Sequence, residues 1–412
     1  MTTSSRKTAV LLTVGSELLK GSTLNTNARF LGQRLLAAGF RVQEQLACDD
    51  VIPEIQGCLA RALKMADLVI VSGGLGPTPD DVTREAIAGY LGKPLVTCPQ
   101  QWRRIVKLYK RLGRVLPESV SCEALYPKGG TPLINRYGIA LGFCLRLGPK
   151  HVVVLPGVPR ELESLMDHSV LPFLRRNFFS TPAKFPLILK TVGLSEPAVM
   201  EKLGPDFFDV PFEFGIYPHP GEVTLRIYCE SRKTRGHIQK KAVRALKEYI
   251  YASREVSLAQ TIGNLLTAKN MRLGIAESCT GGQLSAELTA QAGASRFFQG
   301  GVIVYANKLK EKLGISKKLL AREGAVSASV AGNLAAQAAH FSGAEWGIGI
   351  TGIAGPTGGT RQKPVGTVYI AVSGSRKYQK TACFEFWGTR DQIQKRAVTK
   401  ALEMLWQALK VV

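Results

Sequence analysis

The sequence predicts an α/β protein composed of three domains. Short apolar runs that are typical of buried strands alternate with segments of helical periodicity. A chain of 412 residues is also too long for one ordinary hydrophobic core. A central stretch has a different, smaller α+β pattern. We therefore expect domains at residues 1–170, 171–254 and 255–412.

The N-terminal part alternates strands and helices. Strands are predicted at 8–14, 67–72 and 152–155, and helices at 25–38 and from Asp81 onward. This alternation predicts a mainly parallel sheet that is covered by helices on both faces.

The rest of the chain follows two further patterns. Residues 171–184 are predicted as a connector, followed by strands at 187–192, 212–217 and 222–228 and helices at 196–203 and 237–249. From residue 255 an α/β pattern returns, with helices at 258–269 and 283–291 and strands at 273–276, 301–305, 346–350 and 367–372. The two patterns predict a small α+β domain followed by a second α/β domain.

The charge of the chain is strongly basic, with a net value of +23 that is spread over its whole length. Residues 102–114 and 232–247 contain no acidic residue. Such stretches suit either a polyanion-binding surface or a solvated helix face. We favour the solvated face, because Trp102, Ile105 and Tyr109 recur at helical spacing and provide a buried side.

Several classes of protein are excluded by composition. The eight cysteines form no CxxC pair, and the five histidines show no HExxH arrangement, which argues against a zinc site or a histidine-held catalytic metal. No apolar run reaches eighteen residues, and the run 9–14 is too short for a secretory signal. We expect a cytoplasmic protein with no membrane partner.

The first candidate site lies at Ser278, where a predicted strand meets a predicted helix. A serine in this position can attack a carbonyl group while free helix N-terminal amides stabilise the oxyanion. Gly281 and Gly282 leave room for a substrate. The same residues also suit a helix cap at Ser278 or Thr280, or a phosphate cradle.

A base for this serine is expected at Lys308, because a desolvated lysine can lose its proton near neutral pH. Tyr305 is expected to relay or orient the proton. Alternatively, Lys308 simply begins an exposed basic helix. The glycine-rich segment 351–360 is expected to close over a phosphate or nucleoside, or to be a plain loop.

The C-terminal part resembles a known family. The strings AESCTGG, GGVIVYANKLKEKLG, EGAVS, GITGIAGPTGG and KPVGTVYIAV occur in this order within residues 255–405. Together they are similar to the C-terminal domain of the CinA family, which implies nicotinamide mononucleotide deamidase activity. The resemblance implies Ser278 as nucleophile, activated by Tyr305 and Lys308. The substrate-binding residues it implies are Thr280, Gly281, Gly282, Thr351 and Gly352, with Arg390 or Arg396 at the phosphate.

The implied reaction is acyl transfer without a cofactor. Ser278 attacks the carboxamide, ammonia leaves, and water releases nicotinic acid mononucleotide. The resemblance implies a homodimeric hydrolase of pyridine nucleotide salvage.

The N-terminal part resembles the other half of the same family. The strings VGSELLKGSTLNTN, GGLGPTPDDVTRE and LPGVPRE are similar to its MoaB/Mog-like, molybdopterin-binding-like domain, a three-layer αβα fold. This implies ADP-ribose pyrophosphatase activity with a divalent metal. Gly73, Gly74 and Gly76 would present amides to phosphate, and the expected metal ligands are Asp80, Asp81 and Glu17.

Two features of this N-terminal reading leave alternatives open. Asp81 also suits a helix cap. Where the family commonly has a Gly-Thr-Ala-Pro-Gly segment, this chain has Ile139 and Leu141 in place of the threonine and proline, which puts the pyrophosphatase activity in question.

The middle part occupies the place of the family's KH-like domain. It lacks the GxxG loop of nucleic-acid-binding KH modules, so we expect a spacer or dimer contact. The alternative function is a nucleic-acid-binding or protein-binding factor of competence or recombination. A narrower alternative is a molybdopterin-type binder acting through the N-terminal domain.

Overall fold

The computed structural model describes residues 7–178, 185–208, 212–229, 231–375 and 378–411. The chain divides into two compact units, Met1–Phe185 and Pro186–Val412. Val192 and Tyr251 of the middle region pack in the same apolar core as the C-terminal residues, which places both regions in the second unit. The three-domain division stays a prediction.

The first unit contains eight strands and seven α-helices in its described residues. The strands are β1 (Thr8–Val14), β2 (Arg41–Cys48), β3 (Leu68–Ser72), β4 (Leu95–Thr97), β5 (Leu125–Pro127), β6 (Thr131–Leu133), β7 (Gly142–Leu147) and β8 (Lys150–Leu155). The helices are α1 (Ser16–Leu19), α2 (Thr26–Ala37), α3 (Ile52–Met65), α4 (Thr83–Tyr90), α5 (Pro99–Arg111), α6 (Pro159–Leu165) and α7 (Leu171–Phe178).

The main sheet of this unit has the order β2-β1-β3-β8-β7-β6. Its first four strands are parallel, and the last two are antiparallel. Alternate residues of β1 enter different cores: Leu11 packs with helix α2 on one face, and Leu12 packs with α3 on the other. The predicted three-layer arrangement of a mainly parallel sheet between helices is confirmed.

The second unit contains nine strands and eight α-helices in its described residues. The strands are β9 (Phe185–Val192), β10 (Glu213–His219), β11 (Glu222–Cys229), β12 (Ile250–Ala252), β13 (Leu273–Glu277), β14 (Phe298–Ile303), β15 (Trp346–Gly352), β16 (Thr367–Gly374) and β17 (Tyr378–Glu385). The helices are α8 (Glu196–Leu203), α9 (Arg232–Leu246), α10 (Leu258–Ala268), α11 (Gln283–Thr289), α12 (Asn307–Lys312), α13 (Lys317–Glu323), α14 (Ala328–Ser342) and α15 (Arg390–Val411).

Two sheets organise this unit. The smaller has the order β10-β11-β9-β12. The larger has the order β14-β13-β15-β16-β17, in which β13 runs parallel to both of its neighbours and β16 and β17 run antiparallel. The predicted α+β and α/β patterns are confirmed, whereas the likeness of the middle region to a KH module stays a prediction.

Some predicted elements have different limits in the structure. The first part of the predicted connector 171–184 is helix α7, and residues 179–184 lie outside the described residues. Helix α9 begins at Arg232, five residues before its predicted start, because the Ser231 side chain caps it by accepting from Thr234 N. Strand β14 covers 298–303, whereas the predicted strand covered 301–305.

The described residues contain no helix that is both long enough and apolar enough to cross a membrane.

Candidate active site

The carboxyl ends of three parallel strands meet at one edge of the larger sheet. Ser278 directly follows β13, Tyr305 follows β14, and Thr351 lies near the end of β15. A cavity of about 230 Å³ opens at this edge, and all three residues line it. Because ligands of open α/β sheets bind outside the carboxyl ends of the strands, this cavity is the candidate site of the C-terminal region.

A lysine amine lies beside the Ser278 hydroxyl. Lys310 Nζ is 3.1 Å from Ser278 Oγ, and it donates to the backbone carbonyls of Val304 at 2.7 Å and Tyr305 at 2.9 Å. Lys310 is 1% exposed and Ser278 is 7% exposed. The strand end of β14 therefore provides two acceptors that fix the amine against the serine.

This arrangement can be formed by either protonation state of the amine. Two N–H groups bind the two carbonyls, and the third position of the nitrogen, which holds an N–H group in the charged amine and a lone pair in the neutral one, faces Ser278 Oγ. No carboxylate forms an ion pair with Lys310 among the described residues. Burial lowers the pKa of Lys310 below its ordinary value, and the nearby Cys279 thiol opposes this shift.

The prediction that Lys308 is the lysine beside Ser278 is wrong. Lys308 is exposed, whereas Lys310 is buried. Both lysines belong to helix α12, which begins at Asn307. Residues two positions apart in an α-helix are separated by about 200° around its axis, so the two lysines lie on opposite faces. Lys310, the lysine beside Ser278, lies on the same side of the helix as Leu313, which packs against the apolar core.

Tyr305 contacts the lysine through its backbone and an arginine through its phenol. Its carbonyl accepts from Lys310, while its hydroxyl accepts from Arg390 Nη2 at 3.2 Å. Its side chain is 60% exposed. The expected role of the Tyr305 phenol as a proton relay to the lysine therefore does not match its position.

The structure distinguishes the two candidate arginines. Arg390 lines the cavity and donates to Gly355 O at 2.7 Å as well as to Tyr305. Arg396 instead donates to Trp387 O and lies over the Trp387 ring, 3.7 Å from its centroid. Only Arg390 belongs to the site, so placing Arg396 there is wrong.

The glycine-rich segment 351–360, which includes Thr351 and Gly352, forms one wall of the cavity. Thr351 Oγ1 donates to Ala325 O at 2.7 Å, so the hydroxyl is bound to the opposite wall. Lys363, which sequence reasoning missed, fastens the same two walls by donating to Glu323 O at 3.0 Å and Val326 O at 2.7 Å. These bonds fix the width of the cavity.

The first amides of helix α11 are not free, contrary to expectation. The fully buried carboxylate of Glu277 accepts from the backbone N–H groups of Gly282, Leu284 and Ser285, and from the Ser285 hydroxyl. Glu277 therefore satisfies the positive end of the helix. These amides cannot serve Ser278 as oxyanion donors.

Two other amides remain in the turn after the serine. Ser278 N donates to Ile350 O, and Gly281 N donates to Ser278 O at 3.2 Å. The N–H groups of Cys279 and Thr280 have no acceptor within the part of the chain that the structure describes.

The cysteine next to Ser278 is a poor nucleophile. Cys279 is 4% exposed, and burial raises the pKa of its thiol to about 12. Because the thiolate is the reactive form of cysteine, this thiol stays protonated and inert at neutral pH.

The other predicted binding residues of the turn lie behind the cavity. Thr280 is buried, and its hydroxyl has no partner among the described residues. Gly281 and Gly282 have φ values of +61° and +97°, a conformation that favours glycine, so they shape the turn. None of these three residues lines the cavity.

The predicted N-terminal phosphate site coincides with a cavity of about 550 Å³ in the first unit. Gly73, Gly74 and Gly76 line it, but the Gly73 amide donates to Leu155 O. A Cβ atom on Gly73 would lie 2.1 Å from Val14 O. Close packing therefore requires Gly73, and its amide is not available to a phosphate.

The charged side chains that line this cavity are all carboxylates in the described residues: Glu17, Asp50, Asp80, Asp81, Glu123 and Glu161. Burial raises the pKa of Glu123 to about 7, with a further contribution from Glu161. Ile139 also lines the cavity, whereas Leu141 is buried and does not line it.

The expected metal ligands are not assembled in the structure. No group of three or more His, Cys, Asp or Glu side chains is arranged to hold a metal ion in the described ranges. The Asp81 carboxylate accepts from the backbone N–H and hydroxyl of Thr78, and helix α4 begins after Val82 with no side-chain cap. Asp81 thus neither joins Glu17 and Asp80 in a ligand set nor caps the helix.

The basic stretch of the middle region is a helix face. Ile238, Ala242 and Leu246 of α9 are buried, while Lys240 and Arg244 are exposed on its other side. The predicted stretch at 102–114 behaves in the same way, with Ile105 buried.

Comparison with known proteins extends over nearly the whole chain. Residues 255–409 match the model of the CinA C-terminal domain, and residues 10–176 match that of a probable molybdopterin binding domain. A "putative competence-damage inducible protein" of Caldicellulosiruptor saccharolyticus is 36% identical over 96% of this chain and 98% of that protein. A "CinA-like protein" of Anaeromyxobacter dehalogenans is 36% identical over 97% of this chain and 99% of that protein.

A solved structure matches part of this chain. The crystal structure of the protein CinA from Thermoplasma acidophilum is 36% identical, covers 43% of this chain and 100% of that chain, and gives a TM-score of 0.38. The identity over the full length of the curated relatives, together with the two domain matches, shows that the chain belongs to the CinA family.

Proposed function

We propose that the protein hydrolyses the carboxamide of nicotinamide mononucleotide to nicotinic acid mononucleotide and ammonia. The observation that carries this proposal is the buried amine of Lys310 at 3.1 Å from the Ser278 hydroxyl, with its other bonds directed to carbonyls. Serine–lysine pairs of this kind suit acyl transfer, because the amine can take the hydroxyl proton. The substrate itself is inferred from the resemblance of residues 255–405.

In each half of the reaction the amine of Lys310 takes up one proton and gives one back. The neutral Lys310 takes the proton of Ser278 as Oγ bonds to the carboxamide carbon, and the resulting ammonium gives that proton to the departing nitrogen, which leaves as ammonia. Water then attacks the acyl ester, gives a proton to Lys310, and Ser278 leaves as the reprotonated alcohol. The enzyme is unchanged after one water has been consumed.

The negative oxygen of each tetrahedral intermediate requires donors. The N–H groups of Cys279 and Thr280 directly follow the nucleophile and have no acceptor in the described residues. Cys279 lines the cavity whereas the fully buried Thr280 does not, so the Cys279 N–H is our candidate donor for the oxyanion hole. The cavity of about 230 Å³ is small, so it encloses the nicotinamide end while Arg390, on an exposed part of α15, meets the phosphate.

The test is incubation of the purified protein with nicotinamide mononucleotide while ammonia and nicotinic acid mononucleotide are measured together. We expect equal amounts of both, at a rate that EDTA leaves unchanged because the proton transfers use side chains alone. Release of free nicotinamide, or no release of ammonia, would contradict the proposal.

The rate should rise with pH. Only neutral Lys310 can accept the serine proton, so kcat/KM falls as the pH falls through the pKa of Lys310 and the amine becomes charged. Because burial lowers this pKa, the midpoint of the rise should lie below 10.5. A pH profile of kcat/KM checks this expectation, and a profile that declines over the same range would be incompatible with a lysine base.

Arg390→Ala should weaken recognition of the phosphate. We expect kcat/KM for nicotinamide mononucleotide to fall by about 10- to 100-fold, mostly through KM, which is the effect of losing a charged hydrogen bond. Arg396→Ala is the matched control and should stay within about twofold. With nicotinamide riboside, which lacks the phosphate, Arg390→Ala should show little further loss; an equal loss with both substrates would assign Arg390 another role.

The predicted ADP-ribose pyrophosphatase activity of the first unit has weaker support. A diphosphate would enter a cavity whose charged lining is carboxylate, so a cation would have to bridge the two. ADP-ribose hydrolysis at this cavity therefore stays a prediction from resemblance. Nucleic-acid binding through α9 likewise rests on charge alone, and its salt dependence would measure phosphate contacts.

A further inference from the structure

The Lys363 side chain binds a short connection that lines the candidate cavity. This connection, residues 324–327, joins helix α13 to helix α14, and its residues Ala325 and Val326 line the cavity. Lys363 Nζ donates to Glu323 O at 3.0 Å and to Val326 O at 2.7 Å. We propose that Lys363 is a positioning residue that holds Ala325 and Val326 against the aromatic ring of the substrate. This inference rests on the proposed function.

The carbonyl groups of this connection depend on side chains for their hydrogen bonds. Thr351 Oγ1 donates to Ala325 O at 2.7 Å, and Lys363 serves the carbonyls of Glu323 and Val326. In the described residues no backbone N–H group donates to these three carbonyls. A lysine amine has three N–H donors when charged, so it can serve two carbonyls at once. Loss of the amine would leave both without a protein donor and release the connection.

The backbone of Lys363 is itself held in place. Its N–H donates to Thr360 Oγ1 at 3.0 Å, and its carbonyl accepts from Thr360 N at 2.9 Å. The next residue, Pro364, accepts at its carbonyl from the hydroxyl of Thr367, the first residue of β16, at 2.8 Å. The amine is therefore presented from a fixed turn, so the connection 324–327 is the part that would move if its bonds to Lys363 were lost.

The cavity is lined by four aliphatic side chains, which come from the two walls that Lys363 joins. Two belong to the connection and two to the glycine-rich segment: Ala325, Val326, Ile353 and Ala354. Both faces of an aromatic ring are apolar, so the ring buries most surface when both walls contact it. Lys363 follows one wall in the chain and binds the other, so it sets how closely the two walls approach the ring.

The reacting groups are held by contacts that do not involve Lys363. Ser278 N donates to Ile350 O at 3.0 Å, and Lys310 Nζ donates to two carbonyls that follow β14. The apolar walls meet the ring in the ground state and in the transition state alike. Interactions that are equal in both states lower KM without changing kcat. Loss of Lys363 should therefore raise KM and leave kcat nearly unchanged.

The experiment measures kcat and KM for nicotinamide mononucleotide in Lys363→Met, which keeps a long side chain but removes the donors. We expect KM to rise by about 10-fold or more and kcat to stay within about threefold. Lys363→Arg, which can donate to both carbonyls, should bring KM back to within about threefold of the wild type. Arg361→Met is the matched control, because Arg361 is an exposed basic residue of the same loop, and it should keep the wild-type KM.

Nicotinamide riboside separates this role from attraction of the substrate phosphate by the lysine charge. If Lys363 acts through the wall, Lys363→Met should raise KM by the same factor for the riboside, which lacks the phosphate. A rise that is confined to the mononucleotide would overturn the proposal.

Val326→Ala trims the wall but keeps its backbone carbonyl. It should raise KM, and Lys363→Met combined with Val326→Ala should raise KM by less than the product of the two factors, because both changes act on one contact. Factors that multiply would contradict the proposal. Thermal unfolding of each variant reports folding separately from binding. If Lys363→Met does not fold, the same cycle is measured with Lys363→Gln, whose shorter, neutral side chain weakens both bonds.

The failures of the two proposals are distinguishable. If the wild type releases no ammonia, the proposed function fails. If the wild type is active and Lys363→Met retains its KM, the positioning role is wrong. A loss carried by kcat, one that Arg361→Met shares, or one that Lys363→Arg does not relieve would also overturn it.

Discussion

Replacing Lys310 with methionine is expected to lower kcat/KM for nicotinamide mononucleotide by about 10³-fold or more. Methionine fills the same buried space but cannot take the proton of Ser278, so the hydroxyl loses its base. A factor of 10³ corresponds to about 4 kcal/mol of transition-state stabilisation. Steady-state kinetics of the purified variant measures this loss.

Lys308→Met is the matched control for this result. Lys308 lies two residues away on the same short helix but is exposed, so we expect its activity to stay within about twofold of the wild type. If Lys308→Met lost activity while Lys310→Met kept it, the assignment of the base in this structure would be incorrect.

Ser278→Ala is expected to reduce ammonia release by at least ~10⁴-fold, which is the loss typical of removing a covalent nucleophile. The change removes one partly enclosed oxygen atom and leaves Arg390 and the cavity walls in place. Substrate binding, measured by calorimetry, should therefore stay within a few-fold of the wild type. Loss of binding together with activity would instead indicate that the cavity has collapsed, and unchanged activity would exclude Ser278.

The position of Ser278 at a strand end could be predicted from sequence, and the identity of the lysine beside it could not. Ser278 stands between a short apolar strand and two glycines, so its place at a strand end follows from local pattern. The choice between Lys308 and Lys310 depends on which face of α12 meets the sheet. In this helix the usual preference for a buried leucine and an exposed lysine is inverted, because Leu309 is 41% exposed and Lys310 is 1% exposed. The three-residue spacing from Lys310 to Leu313, which packs against the apolar core, was the available signal.

Two contacts that the sequence pattern does not signal explain the remaining differences. Glu277 occupies the amides of α11 from the end of the preceding strand, and the Gln394 side chain donates to Cys279 O from more than a hundred residues away. Neither contact has a local sequence signature. Arg390 and Arg396 differ only because one points to Gly355 and the other stacks on Trp387. Short apolar runs and helical periodicity are local sequence patterns, which is why the alternation of strands and helices in both units could be predicted.

The most direct test of the account is to look for the acyl-enzyme. The wild-type protein should be mixed with nicotinamide mononucleotide, quenched in acid within the first turnover, and analysed by intact-protein and peptide mass spectrometry. A transient nicotinoyl-nucleotide ester on the peptide that contains Ser278, absent from Ser278→Ala, is the predicted result. Ammonia release at the full rate with no adduct on that peptide, or with the adduct on Cys279, would contradict the serine–lysine mechanism.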